Sequence, residues 1–337
     1  MKKQTKRKTK KSMNEEIPSI FVDSYTKKFG KFLATDNVSF KVGKGVIHGF
    51  IGPNGSGKTT AIKAMIGAYI PTSGKILIGG HKAGSIEANK LIGYIPERAS
   101  FPKHLNSEQY LKAMGQWSGL SAKEAKAKAT EILIQLKMEK QAKRKPITFS
   151  SGMQKKILLA QSLLTDPSIL ILDEPAANLD PTTRKELFDS LINLRDQGKT
   201  ILISSHILAE LERLIDEATF IYYGEVIFSG KISEFAKDNS NVYIKSDKNE
   251  KLMDLLKMKK YKVKGDIGGE LVIENLSQTK INNLYKTLGT FKLNIISFRA
   301  NDLQSVYDKL SKKAYIKNKG KQSLGGKSTV KNKKGSK

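Results

Sequence analysis

Short runs of apolar residues recur along the first two thirds of the chain, and each run ends where polar residues begin. Three of these runs are Val46–Ile51, Ile169–Leu172 and Thr200–Ser204. Short apolar runs without a polar face are typical of strands that are buried on both sides, as in a parallel sheet covered by helices. The pattern therefore predicts an α/β fold with a parallel sheet at its centre.

Two segments between residues 98 and 150 begin with residues that are typical of helix N-termini. In the second of them, SAKEAKAKATEILIQLKM, Ser121 and Glu124 have the spacing of a capping box. The pattern predicts a helical subdomain over about residues 98–150. Trp117, in the first segment, either lies on the surface of this subdomain or packs into its core.

Strand and helix patterns alternate again in the C-terminal part. In chain order the pattern predicts a strand, a helix, two strands, a helix and a strand at Val242–Lys245, Lys251–Lys259, Tyr261–Lys264, Glu270–Glu274, Lys280–Leu288 and Asn294–Arg299. The order βαββαβ is that of ferredoxin-like folds. We expect a small α+β accessory domain over residues 239–312, ending in a helix at Asp302–Leu310. Its role, in dimer contact or in regulation, stays open.

The net charge of +28 is concentrated at the two ends of the chain. Lysine and arginine contribute seven charges before residue 12 and ten after residue 311. Both segments are polar and poor in large apolar side chains, which predicts disordered basic tails at residues 1–17 and 313–337. The tails are either simply solvated, or contact anionic lipid headgroups, or contact nucleic acid, and the concentration of charge in the tails weakens the nucleic-acid interpretation.

Several protein classes are disfavoured by composition. The chain has no Cys, so it has neither a disulfide framework nor a thiol metal site. No apolar run approaches the ~18 residues that span a bilayer. The basic N-terminus has no apolar region behind it, which disfavours a secretory signal. We therefore expect a cytosolic protein.

A glycine-rich segment, GPNGSGKTT, lies between the strand Val46–Ile51 and a helix-like run at Thr60–Ile70. Its pattern G-x-x-x-x-G-K-T between a strand and a helix is that of a phosphate-binding loop. Backbone N–H groups of such a loop and the N-terminus of the following helix bind phosphate oxygens. We expect Lys58 to reach the terminal phosphates and Thr59 to ligate Mg²⁺. The candidate nucleotide-binding residues are Gly52, Pro53, Asn54, Gly55, Ser56, Gly57, Lys58, Thr59 and Thr60.

Polar side chains follow two further strands. Asp173 and Glu174 come directly after Ile169–Leu172, and His206 comes just after Thr200–Ser204. Polar groups at the carboxyl ends of parallel strands lie at one edge of the sheet, so we expect Asp173 to hold Mg²⁺ and Glu174 to deprotonate an attacking water. The alternatives are an acidic helix cap and a structural histidine.

The order of these motifs resembles that of an ATP-binding cassette (ABC) protein. The resemblance covers residues 19–235 and includes FSSGMQ at Phe149–Gln154 and NLD at Asn178–Asp180. It implies a P-loop NTPase fold of the ABC ATPase type over residues 18–238, with a mixed sheet core and the helical subdomain. The chain is most similar to the branch that powers bacterial exporters of drugs, polysaccharides or sodium.

The resemblance implies further residues at the nucleotide. Phe29 stands where the family has an aromatic that stacks on adenine, and Tyr25 is a weaker candidate. Glu97 stands where the family usually has a glutamine that senses Mg²⁺ and touches the membrane subunit. A carboxylate ligates Mg²⁺ but does not donate a hydrogen bond as an amide does. Glu97 is expected at the metal and in catalysis, and we interpret it as typical of the exporter branch.

Other implied residues act across a dimer interface. The signature segment would close over the nucleotide of the other subunit, and Asp180 lies in a loop that crosses the interface and joins the catalytic set. His206 would contact the terminal phosphate. The signature residues are Ser150, Ser151, Gly152 and Met153.

The function implied by the resemblance is Mg²⁺-dependent ATP hydrolysis that drives transport through separate membrane permease subunits. A second cassette, identical or paralogous, would pair head to tail with the first. Such a subunit is cytoplasmic and peripheral on the inner face of the cell membrane. The alternative is a soluble ABC-type ATPase acting on nucleic acid or the ribosome, although such relatives usually carry two cassettes. A cassette that binds ATP without hydrolysing it is disfavoured by the presence of both Glu174 and His206.

Overall fold

The computed structural model describes residues 17–98, 100–237, 242–265, 269–273, 276, 278–291, 293–300, 307, 308, 310–312 and 314. Its strands are β1 Ile20–Phe29, β2 Phe32–Val42, β3 Ile47–Ile51, β4 Ser73–Ile78, β5 His81–Lys82, β6 Ile92–Ile95, β7 Ile169–Leu172, β8 Thr200–Ser205, β9 Glu217–Tyr222, β10 Glu225–Lys231, β11 Val242–Ser246, β12 Val263–Lys264, β13 Leu271–Ile273 and β14 Ile295–Ala300. Its helices are α1 Lys58–Met65, α2 Ile86–Lys90, α3 Ser107–Trp117, α4 Ala122–Gln135, α5 Ser151–Leu163, α6 Pro181–Asp196, α7 Leu208–Leu211, α8 Ile232–Lys237, α9 Asn249–Met258 and α10 Gln278–Gly289.

A six-stranded sheet in the order β10-β9-β3-β8-β7-β6 forms the centre of the fold. Its strands pair in parallel except at β10, which is antiparallel to β9. Ile169 and Ile171 of β7 enter one apolar core. Leu170 and Leu172 enter the other, together with residues of α3 to α6. The strands are thus buried on both faces, which confirms the predicted parallel sheet.

A second, antiparallel sheet in the order β2-β1-β4-β5 covers one of these two cores. Apolar residues of β1 and β2 lie in the same core as Ala61, Ile62 and Met65 of α1. The helix that follows the phosphate loop is therefore packed between two sheets, which fixes the direction of its N-terminus.

Helix α1 is shorter than the sequence pattern predicts. It spans Lys58–Met65 and not Thr60–Ile70. Gly67 has a φ of 79°, in the left-handed region, and a residue in this conformation commonly ends a helix. At its other end, the helix begins at Lys58 itself, inside the phosphate-loop motif.

The helical subdomain has the predicted capping. Ser121 accepts from the backbone N–H of Glu124, whose carboxylate accepts from the backbone N–H of Ser121, so the capping box at α4 is confirmed. Asn106 and Gln109 form the same arrangement at α3. Trp117, at the end of α3, is 83% exposed. Its interpretation as a core residue is therefore wrong.

The C-terminal strands form a separate antiparallel sheet in the order β12-β13-β11-β14. With α9 and α10 it encloses its own apolar core. The elements have the predicted βαββαβ order. Of the last predicted helix, residues 302–306 and 309 lie outside the described residues, but Tyr307 is helical and its ring packs edge-on to Phe220 at 5.2 Å.

The basic tails predicted at residues 1–17 and 313–337 lie outside the described residues, apart from Ile17 and Ala314. Residues 238–241, which contain the predicted domain boundary, also lie outside them, so the domain limits stay predictions. Within the described ranges, no helix combines the length and the apolarity needed to cross a membrane.

We predict that Ser121→Ala lowers the free energy of unfolding by about 1 kcal/mol, because it removes the cap of α4. Chemical denaturation measures this change. Lys123→Ala, an exposed position in the same helical turn, is the matched control. An equal effect from both variants would mean that the capping box contributes nothing.

Candidate active site

Four loops meet at one edge of the parallel sheet because four neighbouring strands end there. In the order β3-β8-β7-β6, they are followed by the phosphate loop, by His206, by Asp173 and Glu174, and by Glu97. Ile51 of β3 lies beside Ser205 of β8 in the parallel register. The sheet therefore brings together side chains that are more than 100 residues apart in the chain.

A cleft of about 450 Å³ opens at this edge. It contains most of the residues that the phosphate-loop and carboxylate motifs predict. The residues lining it are Phe32, Ala34, Asn54, Gly55, Gly57, Lys58, Thr59, Thr60, Glu97, Glu174, Ala177, Asn178 and His206. Gly52, Pro53 and Ser56 belong to the same loop but do not line the cleft, and neither does Asp173.

The phosphate loop requires glycine at its last turn. Gly57 has a φ of 102°, and a Cβ there would lie 2.7 Å from the carbonyl oxygen of Ala34. Only glycine adopts this conformation without strain and without a clash. The turn leads directly into α1, so the N-terminus of the helix, with its partial positive charge, is at the cleft.

Lys58 is a buried cation that is held by three oxygen atoms. Its Nζ donates to the carbonyl oxygens of Gly52 at 2.6 Å and Pro53 at 3.2 Å. It also forms an ion pair with Oε1 of Glu174 at 3.2 Å. The ammonium group is thus fixed between the loop and the carboxylate at the end of β7.

Glu174 lies between two positively charged or polar partners. Its Oε2 is 3.0 Å from Nδ1 of His206, and its Oε1 faces Lys58. An ionised carboxylate only accepts hydrogen bonds, so Nδ1 of His206 is the donor of this contact whenever Glu174 carries its negative charge. Glu174 has a φ of 46°, an uncommon value for a residue other than glycine, and its backbone N–H donates to Oγ of Ser204 at 2.8 Å.

Asp173 is a nearly completely buried carboxylate. The pKa of Asp173 is raised, mainly because the carboxylate is buried. Hydrogen bonds from Ser204 and Thr59 oppose this increase, and the negative charges of Glu174 and Glu97 add to it. Burial also raises the pKa of Tyr94, and the negative charges of Asp173 and Glu97 raise it further, to about 12. This excess of negative charge next to the Thr59 hydroxyl fits a divalent cation.

Protein side chains alone do not complete a metal site here. Among the described residues, no group of three or more His, Cys, Asp and Glu side chains is placed to hold a metal ion. Mg²⁺ is commonly bound through one or two carboxylates together with phosphate oxygens and water. A cation at Thr59 and Asp173 would therefore need ligands from a bound nucleotide.

Glu97 lines the cleft with its side chain half exposed. Its backbone carbonyl accepts a hydrogen bond from Nζ of Lys155 at 2.5 Å. Its carboxylate is 3.8 Å from Nε of Arg98. The backbone of this loop is thus anchored to α5.

The aromatic residue at the cleft is not one that the sequence indicated. Phe32, 65% exposed, lines the cleft. The ring of Phe29 packs edge-on to Tyr69 at 5.3 Å and does not line the cleft. Tyr25 is completely buried, so its ring is not available to a ligand in this conformation. Phe32 had no sequence signal beyond its position at the turn between β1 and β2.

The signature segment Ser150–Met153 lies outside the cleft and contacts the NLD loop, of which Asn178 lines the cleft and Asp180 does not. Ser150 caps α5 by accepting from the backbone N–H of Met153 at 3.4 Å. Ser151 donates to the carbonyl oxygen of Asn178 at 3.3 Å. Asp180 caps α6 by accepting from the backbone N–H of Thr183. Hydrogen bonds from the side chain and then from the backbone of Thr183 lower the pKa of Asp180.

Gly152 allows close contact between α5 and α6. A Cβ at this position would lie 2.0 Å from Cγ2 of Thr183. The sequence does not indicate Thr183 as the neighbour of this glycine, because the contact arises only when the two helices pack.

The chain has similarities to several known proteins. Residues 35–177 match the family model described as ABC transporter. A Mycoplasma pneumoniae protein described as an ABC transporter ATP-binding protein is 39% identical over 300 residues, which cover 87% of this chain and 92% of that protein. The daunorubicin resistance ATP-binding protein DrrA3 of Streptomyces coeruleorubidus is 33% identical, covering 64% of this chain and 69% of that protein.

Two further similarities concern export and structure. The Nod factor export ATP-binding protein I of Burkholderia lata is 36% identical, covering 60% of this chain and 68% of that protein. A solved structure of the ATP-binding subunit of an ABC transporter superposes with a TM-score of 0.58 at 30% identity, covering 64% of this chain and 91% of that chain.

We predict that Phe32→Ala weakens ATP binding by about ten-fold, because stacking of a base on an aromatic ring is worth about 1–3 kcal/mol. Titration with a fluorescent ATP analogue measures this affinity. Phe29→Ala is the matched comparison and should change the affinity less than about three-fold. The opposite ranking would favour Phe29, the residue that the family pattern predicts.

We predict that Gly152→Ala lowers the free energy of unfolding by about 1–3 kcal/mol, because the added methyl group overpacks the contact with Thr183. Denaturant unfolding measures the loss. Thr183→Ser removes the clashing methyl group and should restore part of the stability in the double variant. If it restores none, the contact between α5 and α6 is not the reason for glycine at this position.

Proposed function

Because the chain belongs to the family of ABC transporter ATP-binding proteins, we propose that it powers an exporter whose membrane subunits are separate chains. As a member of this family of ATPases, it binds and hydrolyses ATP. The observation that carries the proposal is the placement of Glu174 between Lys58 and His206 at the carboxyl edge of the parallel sheet. Export is supported by the relatives whose names include drug resistance and Nod factor export.

The phosphates of ATP are bound by the loop Gly52–Gly57 and by the start of α1. The backbone N–H groups of this loop and of the N-terminus of α1 donate hydrogen bonds to the phosphate oxygens. Lys58 places an ammonium group beside these oxygens. Thr59, Asp173 and Glu97 would hold Mg²⁺. When bound, this ion supplies positive charge that offsets the negative charge on the phosphate oxygens.

Glu174 is the proposed general base. A carboxylate at hydrogen-bond distance from water accepts a proton as the water attacks the terminal phosphate. The contact between Oε2 and Nδ1 of His206 orients the carboxylate. The hydrogen bond from the backbone N–H of Glu174 to Ser204 fixes the turn at the end of β7.

Two cassettes would pair head to tail, so that each nucleotide lies between the phosphate loop of one and the signature of the other. The support is that Ser150–Met153 and Asp180 lie outside the cleft of their own chain. In such a pair, the N-terminus of α5 would point at the nucleotide of the partner. The partner cassette would be identical or paralogous.

The surface around Trp117 is the proposed contact with the membrane subunit. Trp117 is a large apolar side chain that is exposed to solvent at the end of α3, and exposed tryptophans are enriched at interfaces. This contact would place the chain on the inner face of the cell membrane, where the basic tails would contact anionic lipid.

We predict that Glu174→Gln lowers kcat by at least about 100-fold, because the amide does not accept the proton, with little change in ATP affinity. Steady-state hydrolysis and equilibrium binding measure the two effects. Glu131→Gln, at an exposed position on α4, is the matched control and should leave both unchanged. Normal hydrolysis by Glu174→Gln would contradict its assignment as general base.

The transport assignment has a separate test. Purification of the tagged Glu174→Gln chain from membranes in the presence of ATP should recover a polytopic membrane protein. Recovery of ribosomes or nucleic acid in its place would favour the soluble factor and would contradict the proposal of export.

A further inference from the structure

Lys155 is a buried lysine whose position no sequence motif explains. It lies in α5, one helical turn beyond Ser151, and is only 7% exposed. Lysine is among the residues that are least often buried, because removing an ammonium group from water is costly unless it is hydrogen-bonded. A buried lysine next to a candidate active site is therefore expected to have hydrogen-bond acceptors around its ammonium group.

The partners of Lys155 are on the loop that carries Glu97. Its Nζ donates to the carbonyl oxygens of Pro96 at 3.0 Å and Glu97 at 2.5 Å. Burial lowers the pKa of Lys155, whereas the charges of Glu97, Asp173 and Glu174 raise it. The ammonium group thus anchors the backbone of the loop and lies within electrostatic range of all three carboxylates of the site.

The next lysine on the helix has a different role. Nζ of Lys156 forms an ion pair with Glu186 of α6 at 2.8 Å and, among the described residues, has no hydrogen bond to Pro96 or Glu97. Two adjacent lysines therefore have different environments, one buried against the active-site loop and one bridging to a neighbouring helix. The same substitution at Lys156 removes the same charge and side-chain length without touching the Pro96 and Glu97 carbonyl groups, so it is a control for Lys155.

We propose that Lys155 is a positioning residue for the metal site, which acts by fixing the backbone of Glu97 so that its carboxylate faces the cation. This inference rests on the proposed function, in which Glu97 contributes to holding Mg²⁺. Residues that orient a metal ligand commonly change metal affinity by about 10- to 100-fold when they are replaced.

The same contact links the Glu97 loop to the signature segment. The helix that carries Lys155 begins at Ser151, with Ser150 as its cap. Two hydrogen bonds from a buried ammonium group therefore connect the Glu97 loop to the helix that carries the signature segment.

The test is the affinity of the nucleotide-bound protein for a divalent cation, measured without turnover. Mn²⁺ replaces Mg²⁺, a non-hydrolysable ATP analogue is bound, and free Mn²⁺ is followed by electron paramagnetic resonance. Lys155→Met should raise the Kd for Mn²⁺ about ten-fold and leave the affinity for metal-free nucleotide unchanged. Lys156→Met should leave the Kd for Mn²⁺ unchanged. Equal Kd values for Lys155→Met and the parent would overturn the inference.

A double-mutant cycle with Glu97→Ala tests whether Lys155 acts through Glu97. If it does, Lys155→Met causes no further loss of Mn²⁺ affinity in the Glu97→Ala background. Additive losses would overturn the inference. If Lys155→Met unfolds below the assay temperature, Lys155→Gln, which keeps a neutral donor, is compared in the same two backgrounds.

The outcomes also separate this inference from the proposed function. If the parent protein hydrolyses no ATP, or Glu174→Gln hydrolyses it normally, the proposed catalytic mechanism fails. If the parent is active and loses activity with Glu174→Gln, but Lys155→Met binds Mn²⁺ normally, only the role of Lys155 fails.

Discussion

The parallel pairing of β3, β8, β7 and β6 is the constraint on which the rest of the site depends. Each strand ends at the same edge of the sheet and is followed by a loop with one part of the chemistry. A shift of one residue in the register would move the apolar side chains of a strand into the wrong core. Because both faces are buried, the position of the phosphate loop and of the carboxylates is determined by the same packing that stabilises the fold.

Charge compensation is the second requirement. Lys58, Asp173 and Glu174 are all nearly inaccessible to solvent, and an unpaired buried charge costs about 3–5 kcal/mol. Lys58 and Glu174 form an ion pair, whereas Asp173 has hydrogen-bond partners only, the hydroxyl groups of Ser204 and Thr59. Replacing any of these three side chains is therefore expected to change the stability of the fold as well as ATP hydrolysis. Control variants at exposed positions help to separate the two effects.

The sequence predicted those features that depend on local pattern. The buried strands, the phosphate loop, the acids at the end of β7 and the capping box at Ser121 needed only runs of apolar residues and short motifs. The sequence did not predict Phe32 at the cleft, Lys155 beneath the Glu97 loop or Thr183 against Gly152. These depend on contacts between residues that are distant in the chain, which the spacing within a motif does not encode. The predicted helix at Thr60–Ile70 was wrong at both ends: it begins two residues earlier, at Lys58, directly after the turn at Gly57, and it ends at Met65, before the positive φ of Gly67.

Trp117 has a practical consequence. It is the only tryptophan of the chain, and its indole lies in solvent at the end of α3. The fluorescence emission of the protein therefore reports on a single surface position. An apolar partner that covers this position would shift the emission to shorter wavelengths without any label, so the chain contains its own optical probe for a docking event on the helical subdomain.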